Sequence, residues 1–164
     1  KKWRNDFDVF KNLGGGFMPI SIDQQTEWLD DLIDNTGINK RFIIESENTK
    51  PIGFIGLYAI NYINRHSEFG MYIGEKSEWG KGYAKDATQT ILNFGFKVLN
   101  LRKIKLQLVK SNVSAYKLYE KIGFVKVGEY KEDRFIEGKY EDVILMEIFK
   151  SQFITGDMVE CSRN

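Results

Sequence analysis

Trp79-Gly80-Lys81-Gly82-Tyr83-Ala84 lies between an alternating apolar run, Phe69-Gly70-Met71-Tyr72-Ile73, and a helical pattern that continues to about Leu99. Strand, glycine-rich turn and helix therefore follow one another. Two glycines two apart let the backbone turn tightly and keep side chains out of the way. The first amides of the next helix have no partners inside the helix and carry partial positive charge. A concave set of donors of this kind suits a phosphate or pyrophosphate. Two common phosphate patterns fail on the letters. A Walker loop needs four residues between its first glycine and Gly-Lys, then Ser or Thr. Here five residues separate Gly74 from Gly80-Lys81, and Gly82 follows. The dinucleotide pattern needs glycine where Lys85 stands. What is left, G-x-G-x-A opening a helix, is also what a flexible turn looks like.

The chain has 164 residues, which predicts a single domain large enough for a proper core. The domain is expected over 1–150, with 151–164 as a C-terminal tail. A hydrophobic share of 42% with 14% aromatics argues against disorder. A net charge of +1 points neither to a nucleic-acid partner nor to an acidic tail. One cysteine, Cys161, excludes an internal disulfide and a cysteine-based zinc cluster. One histidine, His66, excludes a multi-histidine metal site, so no metal is expected. With no leader pattern and no long apolar run, a soluble cytoplasmic protein without membrane partners is expected.

Outward from the glycine loop, the pattern resolves into elements. Lys1 to Leu13 reads as a short helix, with Trp3, Phe7 and Phe10 on one side, ended by Gly14-Gly15-Gly16. Ser21 and Gln24 have capping-box spacing before a second helix carrying Trp28, Leu29, Leu32 and Ile33. The other face of that helix, Glu27, Asp30, Asp31 and Asp34, reads as solvated or as an acidic wall for a cationic substrate. Arg41–Ser46, Ile52–Ile60 behind Pro51, and Ser67–Ile73 fit three antiparallel strands with short turns. The helix from Gly82 to Leu99 places Ala84, Ala87, Ile91, Phe94, Val98 and Leu99 on one stripe. Ile104–Val109 alternates Ile104, Leu106 and Leu108 against Lys103, Lys105 and Gln107. Asn112–Ile122 is a helix capped by Gly123. Phe124–Tyr130 and Tyr140–Phe149 are the last strands, with Asp133–Gly138 as a long excursion between them. This order predicts an α/β fold, a mixed sheet with helices on both faces.

Downstream of the loop, Ser111-Asn112 leads into Ser114-Ala115-Tyr116-Lys117-Leu118-Tyr119-Glu120-Lys121-Ile122-Gly123-Phe124. Together with Trp79–Ala84 at this separation, the chain strongly resembles the GNAT superfamily of N-acetyltransferases, over roughly Arg41 to Phe149. The resemblance implies a mostly antiparallel sheet splayed at a cofactor cleft. It implies that Trp79, Gly80, Lys81, Gly82, Tyr83 and Ala84 grip the pyrophosphate of acetyl-CoA. It further implies that the pantetheine arm meets backbone groups around Met71, Tyr72 and Ile73, and that Asn112, Ala115 and Tyr116 bind the other end of the cofactor. Ser77 stands where the family usually has Gln or Arg, which removes one side-chain contact and leaves the amide cradle. The family also places a strand before the first helix, on which this sequence opens.

Acetyl transfer to an amine needs a deprotonated amine, support for the carbonyl oxygen, and a proton for the departing sulfur. Tyr119 is the candidate donor, because an ordinary phenol stays protonated at neutral pH. Periodicity alone would make it a core tyrosine; the family places the matching tyrosine beside the thioester. Glu68 is the candidate base, directly or through water, and reads equally as a surface carboxylate near Arg65 and His66. His66 itself reads as a turn residue, and Lys81 either touches a phosphate or faces water.

Within the superfamily the chain looks most like the spermidine/spermine N-acetyltransferase branch, with relatives that acetylate ribosomal proteins close behind. The similar stretches include Ile60-Asn61-Tyr62-Ile63-Asn64-Arg65 and Phe135-Ile136-Glu137-Gly138-Lys139-Tyr140. Asp30, Asp31, Asp34, Glu132, Asp133, Glu137, Glu141 and Asp142 would suit a polyamine. The chain departs from that branch at Gly14-Gly15-Gly16-Phe17-Met18-Pro19. A peptide N-terminus and an amino-sugar or antibiotic amine are the alternative acceptors, and a non-catalytic acetyl-CoA sensor is the alternative of another class. Relatives in the family often form homo-oligomers, as dimers or larger rings, while the sequence itself sets no oligomeric state.

Overall fold

The computed structural model of the chain describes residues 3–11, 13, 19–24, 26–27 and 37–153. Trp28, Leu29, Leu32, Ile33 and the acidic residues Asp30, Asp31 and Asp34 lie outside the described residues, as do 154–164.

Six strands form one sheet in the order β1-β2-β3-β4-β6-β5. β1 (Lys40–Glu45), β2 (Pro51–Asn61) and β3 (His66–Ile73) are antiparallel neighbours, as their short turns require. β4 (Lys103–Val109) lies parallel to β3 after a helical crossover, and β6 (Lys139–Phe149) separates β4 from β5 (Val125–Ile136). The expected mixed, mostly antiparallel sheet is thus present.

The crossover after β3 runs through a 3-10 turn, Lys76–Glu78, into α2 (Tyr83–Asn93). α2 does not continue evenly to Leu99. Phe94–Val98 is a π turn, closed by the Leu99 N–H donating to the Phe94 carbonyl at 3.1 Å. The wider turn shifts the buried stripe. Gly95 and Phe96 become the buried positions, and Val98, expected on the stripe, is 69% exposed. α3 (Val113–Ile122) has both expected caps: Asn112 Oδ1 accepts from the Ala115 N–H at 3.2 Å, and Gly123 adopts φ +113°.

The N-terminal helix is shorter than its pattern. α1 spans Phe7–Phe10, because Asp6 caps it by accepting from Asp8 and Val9. The Ser21–Gln24 capping box is present, with reciprocal bonds of 2.9 and 3.1 Å. The excursion expected over Asp133–Gly138 is a strand instead. β5 runs to Ile136 and returns through Glu137 and Gly138, at φ +49° and +80°. Two positive φ angles in a row match the right-handed twist of a hairpin.

The core lies between the sheet and α2/α3, with Ile52, Leu57, Leu92, Phe96, Ile104 and Ile148 fully buried. The opposite face carries an aromatic layer: Trp3 and Phe10 pack on Phe54 and Tyr72. The core continues past Lys150. Residues 150–153 form a helical turn whose Phe153 is 4% exposed and lies 5.5 Å from the Phe96 ring. Phe153→Ala should cost about 3 kcal/mol of unfolding free energy in urea titrations; a loss within experimental error would show that this turn is not part of the core.

Candidate active site

β3 and β4 pair over only three positions, His66–Lys103, Ser67–Ile104 and Glu68–Lys105. Beyond Glu68 they part: β3 follows β2 to Ile73, and β4 follows β6 to Val109. The phase of the β2 ladder decides what the gap contains. The Gly74 N–H donates to the Ile52 carbonyl at 2.8 Å. Bonded and unbonded positions alternate in an antiparallel pair. Gly70 and Tyr72 therefore turn their backbone groups to β2, while Met71 and Ile73 turn theirs to the gap. The Tyr72 backbone, grouped with its neighbours in the expectation from family likeness, is committed to β2; its ring joins the aromatic layer with Phe10 and Phe54. The Ile73 carbonyl is also committed, accepting from Trp79 Nε1 at 2.8 Å.

A cleft of about 570 Å³ occupies the gap. It passes through the sheet, because successive side chains of a strand point to opposite faces. On the helix side it is lined by Met71, Leu108, Asn112, Ala115 and Tyr119. On the other side it is lined by Glu68, Gln107, Tyr130, Arg134 and Leu13.

The glycine loop stands at the helix side, where β3 ends. Gly80 and Gly82 have φ of +78° and +91°, with open space where a Cβ would be. Glycine is needed there for the backbone, and nothing covers it. Gly82 is the N-cap of α2 and gives no side-chain cap. The Lys85 and Asp86 amides bond to the Gly82 carbonyl, so the amides of the preceding turn stay available to an anion. Trp79 folds back onto Ile73 and braces the loop. Lys81 is paired with Glu78 at 3.1 Å. Ser77, at the family's Gln/Arg position, has its Oγ 3.4 Å from Glu75. Tyr83 packs against the core, and the Ala84 carbonyl accepts from Thr88 at 2.7 Å.

Tyr119 lines the cleft on the helix side. It is 9% exposed and packs edge-on to Phe69 at 5.6 Å and to Phe124 at 5.7 Å. Burial pushes its phenol well above the ordinary value, so it stays protonated at neutral pH. Glu68 is exposed on the opposite side and forms no ion pair among the described residues. The structure thus brings Glu68, Met71, Asn112, Ala115 and Tyr119 to one cleft. Tyr116 packs against the core and lies outside the cleft lining, as does His66. Burial, then the nearby Lys105, Lys103 and Arg102 charges, lower the His66 pKa, and its Nδ1 is buried without a partner.

Tyr130, Arg134, Leu13 and Gln107 line the cleft and were not expected there. Gln107 was legible only as an outward position of β4. Tyr130 and Arg134 reach the cleft because β5 stacks beyond β6, which no local pattern states. Of the acidic residues suited to a polyamine, Asp142 is already neutralised by Lys110 and Lys131, each at 3.0 Å. Lys126, Lys131 and Lys110 hold the neighbouring Glu129 carboxylate far below its usual range.

Known proteins agree with this architecture. The acetyltransferase (GNAT) domain family matches residues 1–125. The spermidine N(1)-acetyltransferase of Vibrio cholerae is 39% identical over 115 residues, covering 70% of this chain and 66% of that protein. The Escherichia coli K12 spermidine N(1)-acetyltransferase is 37% identical over 115 residues, covering 70% and 61%. The match thus spans somewhat less than two thirds of these relatives. A crystal structure of the Vibrio cholerae spermidine N-acetyltransferase in complex with CoA and spermine superposes with a TM-score of 0.84, at 33% identity, over 93% of this chain and 88% of that one. The splayed β3–β4 pair, the open glycine loop and the family match together place this chain in the GNAT acetyltransferase family.

Proposed function

We propose that the protein transfers an acetyl group from acetyl-CoA directly to a primary amine, with a polyamine such as spermidine as the acceptor. The observation that carries this reading is the through-sheet cleft, which puts Tyr119 and Glu68 at two ends of one passage. The residues present fit the cofactor. Gly80 and Gly82 leave the first turn of α2 bare for a pyrophosphate. The backbone groups of Met71 and the N–H of Ile73 face the gap, where an amide-bearing arm can pair with them.

Glu68 takes the proton from the acceptor ammonium, directly or through a water. The freed amine attacks the thioester carbonyl, the Tyr119 hydroxyl gives its proton to the departing sulfur, and the second nitrogen proton, lost as the amide forms, returns to the Tyr119 phenolate. The burial that raises the phenol's pKa keeps it protonated through the alkaline range in which amines lose their protons. The transfer is direct, without a covalent acyl-enzyme; among the described residues the cleft lining offers no cysteine nucleophile. The spermidine-acetylating relatives support the polyamine acceptor, and Glu68, which forms no ion pair among the described residues, is a carboxylate able to receive a cation. Occupation of Asp142 by lysines leaves fewer free acidic groups than the composition promised.

Tyr119→Phe should lower kcat about a hundredfold in a coenzyme A thiol-release assay with spermidine, with acetyl-CoA affinity within about twofold of wild type. Equal losses in both would remove the donor role. Gly82→Val places a β-branched residue at φ +91° and should weaken acetyl-CoA binding at least about tenfold by calorimetry; unchanged affinity would remove the cradle.

A further inference from the structure

The turn that joins β3 to the glycine loop also holds the N-terminal segment. Trp3 lies so close to Gly74 that a Cβ there would fall 2.3 Å from the indole Cγ and Cδ2. Two residues on, the Lys76 ammonium is 2.9 Å from Asp6 Oδ1 and 2.8 Å from Asp8 Oδ2. These carboxylates are the N-cap and the first turn of α1. At the far end of α1, the Phe10 ring packs on Tyr72 at 5.0 Å. The Leu13 carbonyl then accepts from Arg134 at 3.4 Å, and both residues line the cleft on the Glu68 side. Asn5 closes the segment on itself. Its Oδ1 accepts from the Ile20 N–H at 2.9 Å, and its Nδ2 donates to the Ile20 carbonyl at 3.2 Å.

α1 has four residues. A helix that short has no stability of its own, so its position depends on what it is tied to. The ties are the Trp3, Phe10 and Val9 contacts and the Lys76 ion pairs. Exposed ion pairs add little to global stability. A cation bridging two carboxylates of one short turn instead fixes where that turn lies. Gly74 and Lys76 therefore hold the N-terminal segment, and through it the wall of the acceptor mouth, from just ahead of the glycine loop.

We propose that Lys76 is a positioning residue for the acceptor amine: by gripping Asp6 and Asp8 it fixes α1, and α1 fixes the Leu13–Arg134 wall of the acceptor mouth. This rests on the acceptor entering past Glu68. Lys76 lies outside the cleft lining, so its loss is read in the acceptor KM. The shift arises because small displacements of a site wall weaken binding without touching the reacting groups.

The test uses the full chain with acetyl-CoA and spermidine, comparing Lys76→Met, Lys76→Arg and Gly74→Ala. Gly74→Ala dislodges Trp3 by an independent route. The KM for spermidine should rise at least about fivefold in Lys76→Met and in Gly74→Ala. The kcat and the KM for acetyl-CoA should stay within about twofold, and Lys76→Arg should restore most of the loss. Amide hydrogen exchange over residues 3–11 should accelerate in Lys76→Met. An unchanged spermidine KM alongside accelerated exchange overturns the positioning role. Unchanged exchange overturns the anchor itself. If the wild type binds acetyl-CoA but releases no thiol with spermidine, the polyamine reading fails separately. Exchange then decides the anchor alone: acceleration over both 3–11 and 130–136 in Lys76→Met supports it, and no change in either overturns it.

Discussion

The interruption of pairing between β3 and β4 is the constraint on which the rest of the site depends. A parallel pair could continue beyond Glu68, and nothing in the alternation of either strand forbids it. Each strand instead keeps its antiparallel neighbour, β2 on one side and β6 on the other, and the two diverge. The divergence leaves backbone groups of Met71 and Ile73 without a strand partner. Unpaired backbone polar groups in a sheet are costly unless something bonds to them. In the proposed function the partner for these groups is the thioester arm. Tyr119 from α3 and Glu68 from β3 reach it from opposite faces, which is what a two-substrate transfer needs.

The elements around the gap serve it in turn. The π turn at Phe94–Val98 sets α2 down on Leu57 and Ile104 through Gly95, where an added Cβ would lie 2.9 Å from Ile104 Cδ1. α2 then starts at Gly82, with its first turn bare. α1 covers the opposite face and is tied to the residues that lead into the same loop. The anchor of α1 and the glycine loop are therefore neighbours in the chain.

Much of this was legible because it is local. The capping box at Ser21 and Gln24, the caps at Asn112 and Gly123, and the alternation of β4 each depend on residues a few positions apart. The glycine loop was legible from spacing, and the likeness to the family made it a candidate cofactor site. What could not be read was set by distant contacts. The π turn carries no sequence mark, so Val98 was expected inside and Phe96 was not. Glu137 is an unusual residue for a turn with positive φ, so the β5–β6 hairpin read as an excursion. Tyr130, Arg134 and Leu13 meet in the cleft only because of the strand order. Asp142 looked free in sequence because Lys110 and Lys131 lie on other elements.

Residue-resolved amide hydrogen exchange across β3, with and without acetyl-CoA, tests the central claim most directly. If the gap receives the thioester arm, the Met71 and Ile73 amides slow when acetyl-CoA is added. The Gly70 and Tyr72 amides, already bonded to β2, change much less. Uniform slowing along the strand, or no change at Met71 and Ile73 under saturating acetyl-CoA, would contradict it.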